Sequence, residues 1–167
     1  MKTMEAARTI LIATDGSDGA KAAVGDGLRL ARRLDAEVLF VAVQHAPRPP
    51  FGVPPYYIAD PDAHHYAVAT IEAALAEARD HVVPARGEVL APSLDPAHEI
   101  IGAARRIDAD LIVVGSRGRG AIAGAILGSV SRAVVRHADR PVLVAKHYEP
   151  AANGAVARDH FFVGGGV

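Results

Sequence analysis

Apolar residues along the chain form two kinds of segment that alternate. Short apolar runs, typical of strands buried on both faces, occur at residues 9–14, 37–43, 85–91, 110–114 and 141–145. Between these runs, apolar residues recur at helical spacing and predict helices over Asp18–Leu34, Ala63–Val83, Pro96–Ile107 and Ser129–His137. The alternation predicts a single α/β domain, a doubly wound parallel sheet with helices on both faces.

Two of the predicted loops are placed to hold a ligand. In a doubly wound sheet, ligands bind beyond the carboxyl ends of the strands, where the strand order reverses. Asp15-Gly16-Ser17 follows the first strand, and a glycine-rich segment from Gly115 to Gly128 follows the fourth. If these two strands are neighbours, both loops line one crevice.

The glycine-rich segment has the chemistry of an anion site. Its glycines permit a close approach of the backbone to a ligand. The segment ends at Ser129, where the first turn of the last predicted helix offers free N–H groups and the positive end of a helix dipole. Arg117 and Arg119 add positive charge to a chain whose net charge is −1.

Two common phosphate motifs do not explain this segment. The sequence Gly128-Ser129 lacks the lysine of a P-loop. A lenient dinucleotide fingerprint begins at Gly118, but it follows the fourth strand, and its candidate ribose carboxylate, Asp139, precedes a strand. A glycine-rich surface loop without a ligand remains an alternative.

The spacing Gly115-x2-Gly118-x9-Gly128-Ser129 resembles the nucleotide loop of the ATP-binding, UspA-like universal stress proteins. The stretch from 115 to 146 and the opening ILIATDGSDGA resemble that family throughout, and the similarity extends over residues 8 to about 146. The resemblance implies a Rossmann-like sheet of five parallel strands in the order 3-2-1-4-5, as in the adenine nucleotide alpha hydrolases. It also implies ATP and Mg²⁺ bound across strands 1 and 4, and a homodimer.

The resemblance assigns roles to individual residues. Asp15 matches the acidic residue near the ribose and the metal, with Thr14 beside it. Ala13 and Val43 match adenine-pocket positions. The ribose and phosphate contacts are assigned to the residues around the glycine-rich loop: Val114, Gly115, Arg117, Gly118, Gly128, Ser129, Val130 and Ser131.

The composition argues against several classes of protein. The near-zero net charge and the aromatic content of 5% disfavour a nucleic-acid binder, and the absence of cysteine excludes disulfides and thiol chemistry. No apolar run approaches the roughly 20 residues of a membrane span, and the N-terminus lacks a signal sequence, so a cytoplasmic location is expected.

Three segments are expected to differ in character. Residues 1–146 are predicted to form the nucleotide-binding domain. The proline-rich stretch from His45 to Asp62 is predicted to be a long surface loop, because so many prolines suit neither a helix nor a central strand. The tail at residues 147–167 has no periodicity and is expected to be mobile.

Several functions remain open at this level. The first is a regulatory module that binds ATP and performs little chemistry, since no general base accompanies the phosphate loop. The others are a slow ATPase or autophosphorylating enzyme that uses Asp15, a cyclic-AMP binder, and a protein whose output is a partner contact made by the loop or the tail. The last predicted strand, 141–145, would lie at the sheet edge and could pair with a second copy.

Overall fold

The structure, a computed structural model, describes residues 9–45, 61–118 and 127–146. Five parallel strands form one sheet in the order β3-β2-β1-β4-β5. The strands are β1 (Thr9–Ala13), β2 (Glu37–His45), β3 (Ala85–Ser93), β4 (Leu111–Gly115) and β5 (Val142–Ala145). The helices are α1 (Asp18–Leu34), α2 (Pro61–Asp80), α3 (Pro96–Arg106) and α4 (Ser129–His137). The predicted fold class and strand order are confirmed.

The element boundaries differ from prediction mainly next to prolines, which were predicted to exclude both helix and central strand. Strand β2 continues to His45, and α2 begins at Pro61, so both ends of the predicted loop 45–62 belong to regular elements. Proline suits a helix start because the first N–H groups of a helix have no partner within it. Strand β3 runs past Pro92 to Ser93, which an edge strand tolerates. The remaining loop residues 46–60 and the tail 147–167 lie outside the described residues.

Alternating side chains of the strands divide the core into two layers. Ile10 and Ile12 of β1 face one cluster with the buried residues of α1 and α2. Leu11 faces a second cluster, which contains Ala97 and Ile100 of α3 and Val134 of α4. The sheet is therefore covered by two helices on each face, as continuous apolar strands require.

Strand β1 lies at the point where the strand order reverses. Its residue Ile12 pairs with Phe40 of β2 on one side and with Val113 of β4 on the other. The carboxyl ends of β1 and β4 are therefore adjacent, and the loops that follow them share one edge of the sheet. None of the described helices combines the length and the apolar character needed to cross a bilayer.

Candidate functional site

The turn after β1 is held by hydrogen bonds among its own residues. The backbone N–H of Thr14 donates to the carbonyl of Val41 at 2.9 Å, which continues the pairing with β2. The carboxylate Oδ1 of Asp15 accepts from the N–H of Ser17 at 3.0 Å and from its hydroxyl at 2.5 Å. Ser17 also caps α1, since its Oγ accepts from the N–H of Ala20. Asp15 is thus oriented by the start of the helix.

The segment after β4 lies directly against this turn. A Cβ added to Gly118 would be 2.6 Å from Oδ2 of Asp15, so the absence of a side chain lets the two loops meet. A Cβ added to Gly19 would collide with the carbonyl oxygen of Arg117, and one added to Gly115 would lie 2.6 Å from the carbonyl carbon of Gly19. Glycine is therefore required on both sides of the contact between α1 and the β4 loop.

The amino end of α4 reaches the same place. The N–H of Gly128, the residue that precedes α4, donates to the carbonyl of Ser116 at 2.8 Å. A Cβ on Gly128 would be 3.8 Å from the backbone nitrogen of Gly118, in ordinary van der Waals contact. Ser129, the first residue of α4, is exposed. A carboxylate, a glycine loop and a helix amino terminus therefore converge at the reversal point.

An apolar surface lies next to this polar edge. Ala13 and Val43, at the ends of β1 and β2, are partly buried and pack against the cluster that lies beneath α3 and α4. Val130 of α4 packs against the same cluster, and Val114 of β4 is buried within it. The four predicted apolar site residues thus share one face of the sheet.

Two other predicted residues have different environments. The hydroxyl of Ser131, which is buried, donates to the carbonyl of Gly115 at 2.5 Å and braces α4 against the end of β4. Arg117 is exposed, and its backbone rather than its side chain provides the contact to Gly19. A phosphate contact by Ser131 or by the Arg117 side chain stays a prediction. Arg119 lies outside the described residues.

The donor set fits Mg²⁺ only as part of a nucleotide complex. No group of three or more histidine, aspartate or glutamate residues that could hold a metal ion occurs among residues 9–45, 61–118 and 127–146. Mg²⁺ commonly uses one carboxylate together with substrate phosphates and water. Asp15 could supply that carboxylate, and the ion would neutralise phosphate charge beside it.

The carboxylate required by the dinucleotide alternative is in the wrong place. Asp139 lies between α4 and β5, and parallel strands put that connection at the amino edge of the sheet, opposite Asp15. Its carboxylate accepts from Arg105 and Arg140, each at 3.0 Å. Asp139 therefore belongs to an ion-pair cluster and not to a ribose site.

Sequence reasoning missed two residues at the site. Gly19 carried a usable signal, since glycine lacks a Cβ and therefore permits another backbone to approach closely. Tyr66 carried none: it lies on α2, and its hydroxyl donates to the carbonyl of Asp15 at 3.2 Å. Only the packing of α2 on the sheet brings Tyr66 to the turn.

Comparison with known sequences agrees with the geometry. The universal stress protein family profile matches residues 6–146. A universal stress protein of Thermus aquaticus, described as lying in the QAH/OAS sulfhydrylase 3' region, is 37% identical over 142 residues, covering 83% of this chain and 98% of the relative.

Solved structures agree in fold. A universal stress protein in complex with cAMP superposes with a TM-score of 0.65 at 24% identity, over 84% of this chain and 98% of the other. A universal stress protein from Archaeoglobus fulgidus in complex with dAMP gives a TM-score of 0.66 at 23% identity, over 86% of this chain and 100% of the other. At these identities the likeness establishes the fold alone.

Proposed function

This chain belongs to the universal stress protein family, and we propose that it binds an adenine nucleotide, with ATP and Mg²⁺ as the expected ligands, in the crevice between β1 and β4. Binding without rapid turnover would make it a regulatory module of a stress response. The complexes of two fold relatives with cAMP and dAMP support the class of ligand.

One observation carries the proposal. Asp15 in the turn after β1, Gly118 after β4 and Gly128 before α4 lie close together: a Cβ added to Gly118 would be 2.6 Å from Oδ2 of Asp15, and one added to Gly128 would be 3.8 Å from the nitrogen of Gly118. The main chain leaves no room for a side chain at Gly115, a side chain at Gly118 would displace the Asp15 carboxylate, and the amino end of α4 lies at the same edge. Such an arrangement provides an acceptor for ribose hydroxyls or a metal beside donors for phosphate.

A single added methyl group tests the proposal. The Gly118→Ala substitution would push Oδ2 of Asp15, the end of a flexible side chain, and leave the backbone in place. Gly102→Ala is the matched control, because a Cβ at Gly102 on α3 meets nothing within 4 Å. Isothermal titration with ATP and Mg²⁺ should give binding for the wild type and for Gly102→Ala, and affinity at least about tenfold weaker for Gly118→Ala.

Absence of binding heat in the wild type, with ATP, AMP and cyclic AMP each tried, would refute the proposal. Equal affinities in the wild type and Gly118→Ala would show that the ligand lies elsewhere. Competition of cyclic AMP against ATP separates a triphosphate site from a cyclic-nucleotide site. Phosphate release that disappears in Asp15→Ala would establish the slow ATPase alternative.

Two further properties belong to the proposal. Strand β5 forms one of the two edges of the described sheet, and its residues Val142, Leu143 and Val144 are only partly buried. Pairing of this edge with a second copy would give a homodimer with twice the chain mass of 17.4 kDa, which light scattering would detect. A cytoplasmic location, where adenine nucleotides are abundant, can be checked by cell fractionation.

A further inference from the structure

Tyr66 connects α2 to the turn that carries Asp15. Its phenolic Oη donates to the carbonyl oxygen of Asp15 at 3.2 Å. The next N–H in the chain, that of Gly16, donates to Oγ1 of Thr14 at 3.3 Å. The carbonyl and this N–H belong to one planar peptide group. That peptide is therefore held at both ends, on one side by its own turn and on the other by α2.

The ring of Tyr66 also covers the adjacent glycine. Gly16 has a φ of +76°, in the left-handed region that glycine adopts readily. A Cβ added to Gly16 would be 2.6 Å from Oη and 3.4 Å from Cζ of Tyr66. The tyrosine ring consequently occupies the space above the turn, and a side chain at residue 16 would displace it.

The helix that carries Tyr66 is firmly placed. Ala67, Ile71 and Ala74 follow at helical spacing and are buried against the sheet. The side chain of Ile71 occupies the place where a Cβ of Gly87 on β3 would lie, so the helix and strand approach closely. Tyr66 therefore holds the turn from a rigid support, although its own side chain is partly exposed.

We propose that Tyr66 is a positioning residue for the nucleotide site and sets the orientation of the Asp15 carboxylate through the peptide between Asp15 and Gly16. This inference rests on the proposed function of the crevice. Tyr66 need not touch the ligand. Its hydroxyl fixes the main chain on one side of Asp15, while Ser17 fixes the carboxylate on the other.

The proposal has a thermodynamic consequence. A ligand or metal that binds Asp15 in its fixed orientation favours the state in which the Tyr66 hydrogen bond is formed. By linkage, the hydrogen bond raises the affinity for the ligand by the same factor by which the bound ligand favours formation of the hydrogen bond. Removing the hydrogen bond should therefore lower the affinity. The effect should be largest when Mg²⁺ is present, because a metal depends most on the position of its carboxylate.

The test compares Tyr66→Phe with the wild type and with Glu72→Gln, a change at an exposed residue of the same helix. Phenylalanine keeps the ring over Gly16 and removes only the donor. ATP is titrated into each protein with Mg²⁺ and again with EDTA. We expect Tyr66→Phe to lower the affinity for ATP about three- to tenfold in the presence of Mg²⁺ and to reduce the gain in affinity that Mg²⁺ provides. Glu72→Gln should behave as the wild type.

A second readout needs no ligand. In ¹H–¹⁵N spectra, the amide signals of Gly16 and Ser17 should move in Tyr66→Phe and stay in place in Glu72→Gln. A purely structural role for Tyr66 would lower the melting temperature and leave both the ATP affinity and its Mg²⁺ dependence unchanged, which would overturn the inference. If the wild type binds none of ATP, AMP and cyclic AMP, the proposed function fails and this inference with it. If the wild type and Tyr66→Phe bind equally, only this inference fails.

Discussion

At the scale of single residues, three helices end with a residue in the left-handed conformation, and none of the three is glycine. Asp35, Val82 and Asp108 follow α1, α2 and α3 with φ of 52°, 55° and 51°. Val82 forms a Schellman motif at the end of α2. The N–H of Val82 donates to the carbonyl of Arg79, and the N–H of Val83 donates to the carbonyl of Ala78, each at 3.0 Å. A β-branched residue fits this conformation poorly.

Replacing Val82 by glycine should therefore stabilise the protein. The Val82 side chain is 84% exposed, so its loss removes little packing. We expect Val82→Gly to raise the free energy of unfolding by about 1 kcal/mol, visible as a melting temperature higher by about 3 °C. Asp108→Gly is the control and should gain less, because aspartate tolerates the left-handed region better. A lower melting temperature for Val82→Gly would contradict the strain argument.

Glycines at the site should differ sharply in what they tolerate. A Cβ at Gly115 would meet main-chain atoms, the carbonyl carbon of Gly19 at 2.6 Å and the nitrogen of Ala20 at 3.0 Å. Backbone has to move to make room, so Gly115→Ala should cost about 2 kcal/mol in urea unfolding. In Gly118→Ala the new Cβ meets only the flexible carboxylate of Asp15, so this variant should lose much less stability, although its affinity for the ligand should fall. Equal losses in the two variants would contradict this distinction.

At the scale of elements, a cluster of charges joins α3 to the connection before β5. The guanidinium of Arg140 donates to the carbonyl of Ala104, in the last turn of α3, at 2.9 Å and to that of Ala109, in the connection to β4, at 2.7 Å. Asp139 accepts from both Arg140 and Arg105. Hydrogen bonds from Arg140 and then Arg105 lower the pKa of Asp139 to about 2, from its ordinary value of 3.8.

This lowered pKa predicts how the stability contribution of Asp139 varies with pH. A carboxylate with a depressed pKa in the folded state stabilises the fold above its ordinary pKa, and the contribution is lost as the pH falls towards its folded pKa. The difference in urea midpoint between the wild type and Asp139→Asn should therefore be constant above about pH 5, should shrink as the pH falls from about 5 to 2, and should vanish only below the folded pKa of about 2. Asp80→Asn, the same change at an exposed residue at the end of α2, away from this cluster, is the control. A gap as large at pH 2 as at pH 7 would refute the assignment.

At the scale of the whole molecule, the proposed ligand would contact the turn after β1 and the segment between β4 and α4, which are far apart in sequence. Residues near 15, 118 and 128 meet only in the folded chain, so a ligand held among them binds the native state and not the unfolded chain. ATP with Mg²⁺ at about 100 times its dissociation constant should add about 2.7 kcal/mol to the stability. Thermal unfolding should show a rising melting temperature in the wild type and a much smaller rise in Gly118→Ala. An equal rise in both would argue for a site elsewhere.

Sequence reasoning succeeded where the signal is local. The starts of α1 and α3 were predicted at Asp18 and Pro96 and lie there, where the side chains of Ser17 and Asp95 accept hydrogen bonds as caps. The end of α2 was predicted at Val83 and lies at Asp80. Valine rarely adopts the left-handed conformation that Val82 has here, so the sequence gives no signal for a helix end at this point. The expected crevice depended on β1 and β4 being neighbours, and the strand order confirms that they are.

The sequence by itself determined the type and order of the elements and the loops able to bind an anion, because burial periodicity, helix caps and glycine spacing are properties of nearby residues. It also carried the family resemblance, now supported by a match over residues 6–146. Only the tertiary structure decided that the Asp15 carboxylate lies against Gly118, that the hydroxyl of Ser131 donates to the carbonyl of Gly115, and that the hydroxyl of Tyr66 donates to the carbonyl of Asp15. These contacts join residues 16 to 103 positions apart, and their formation depends on how helices pack on the sheet, which no local pattern encodes.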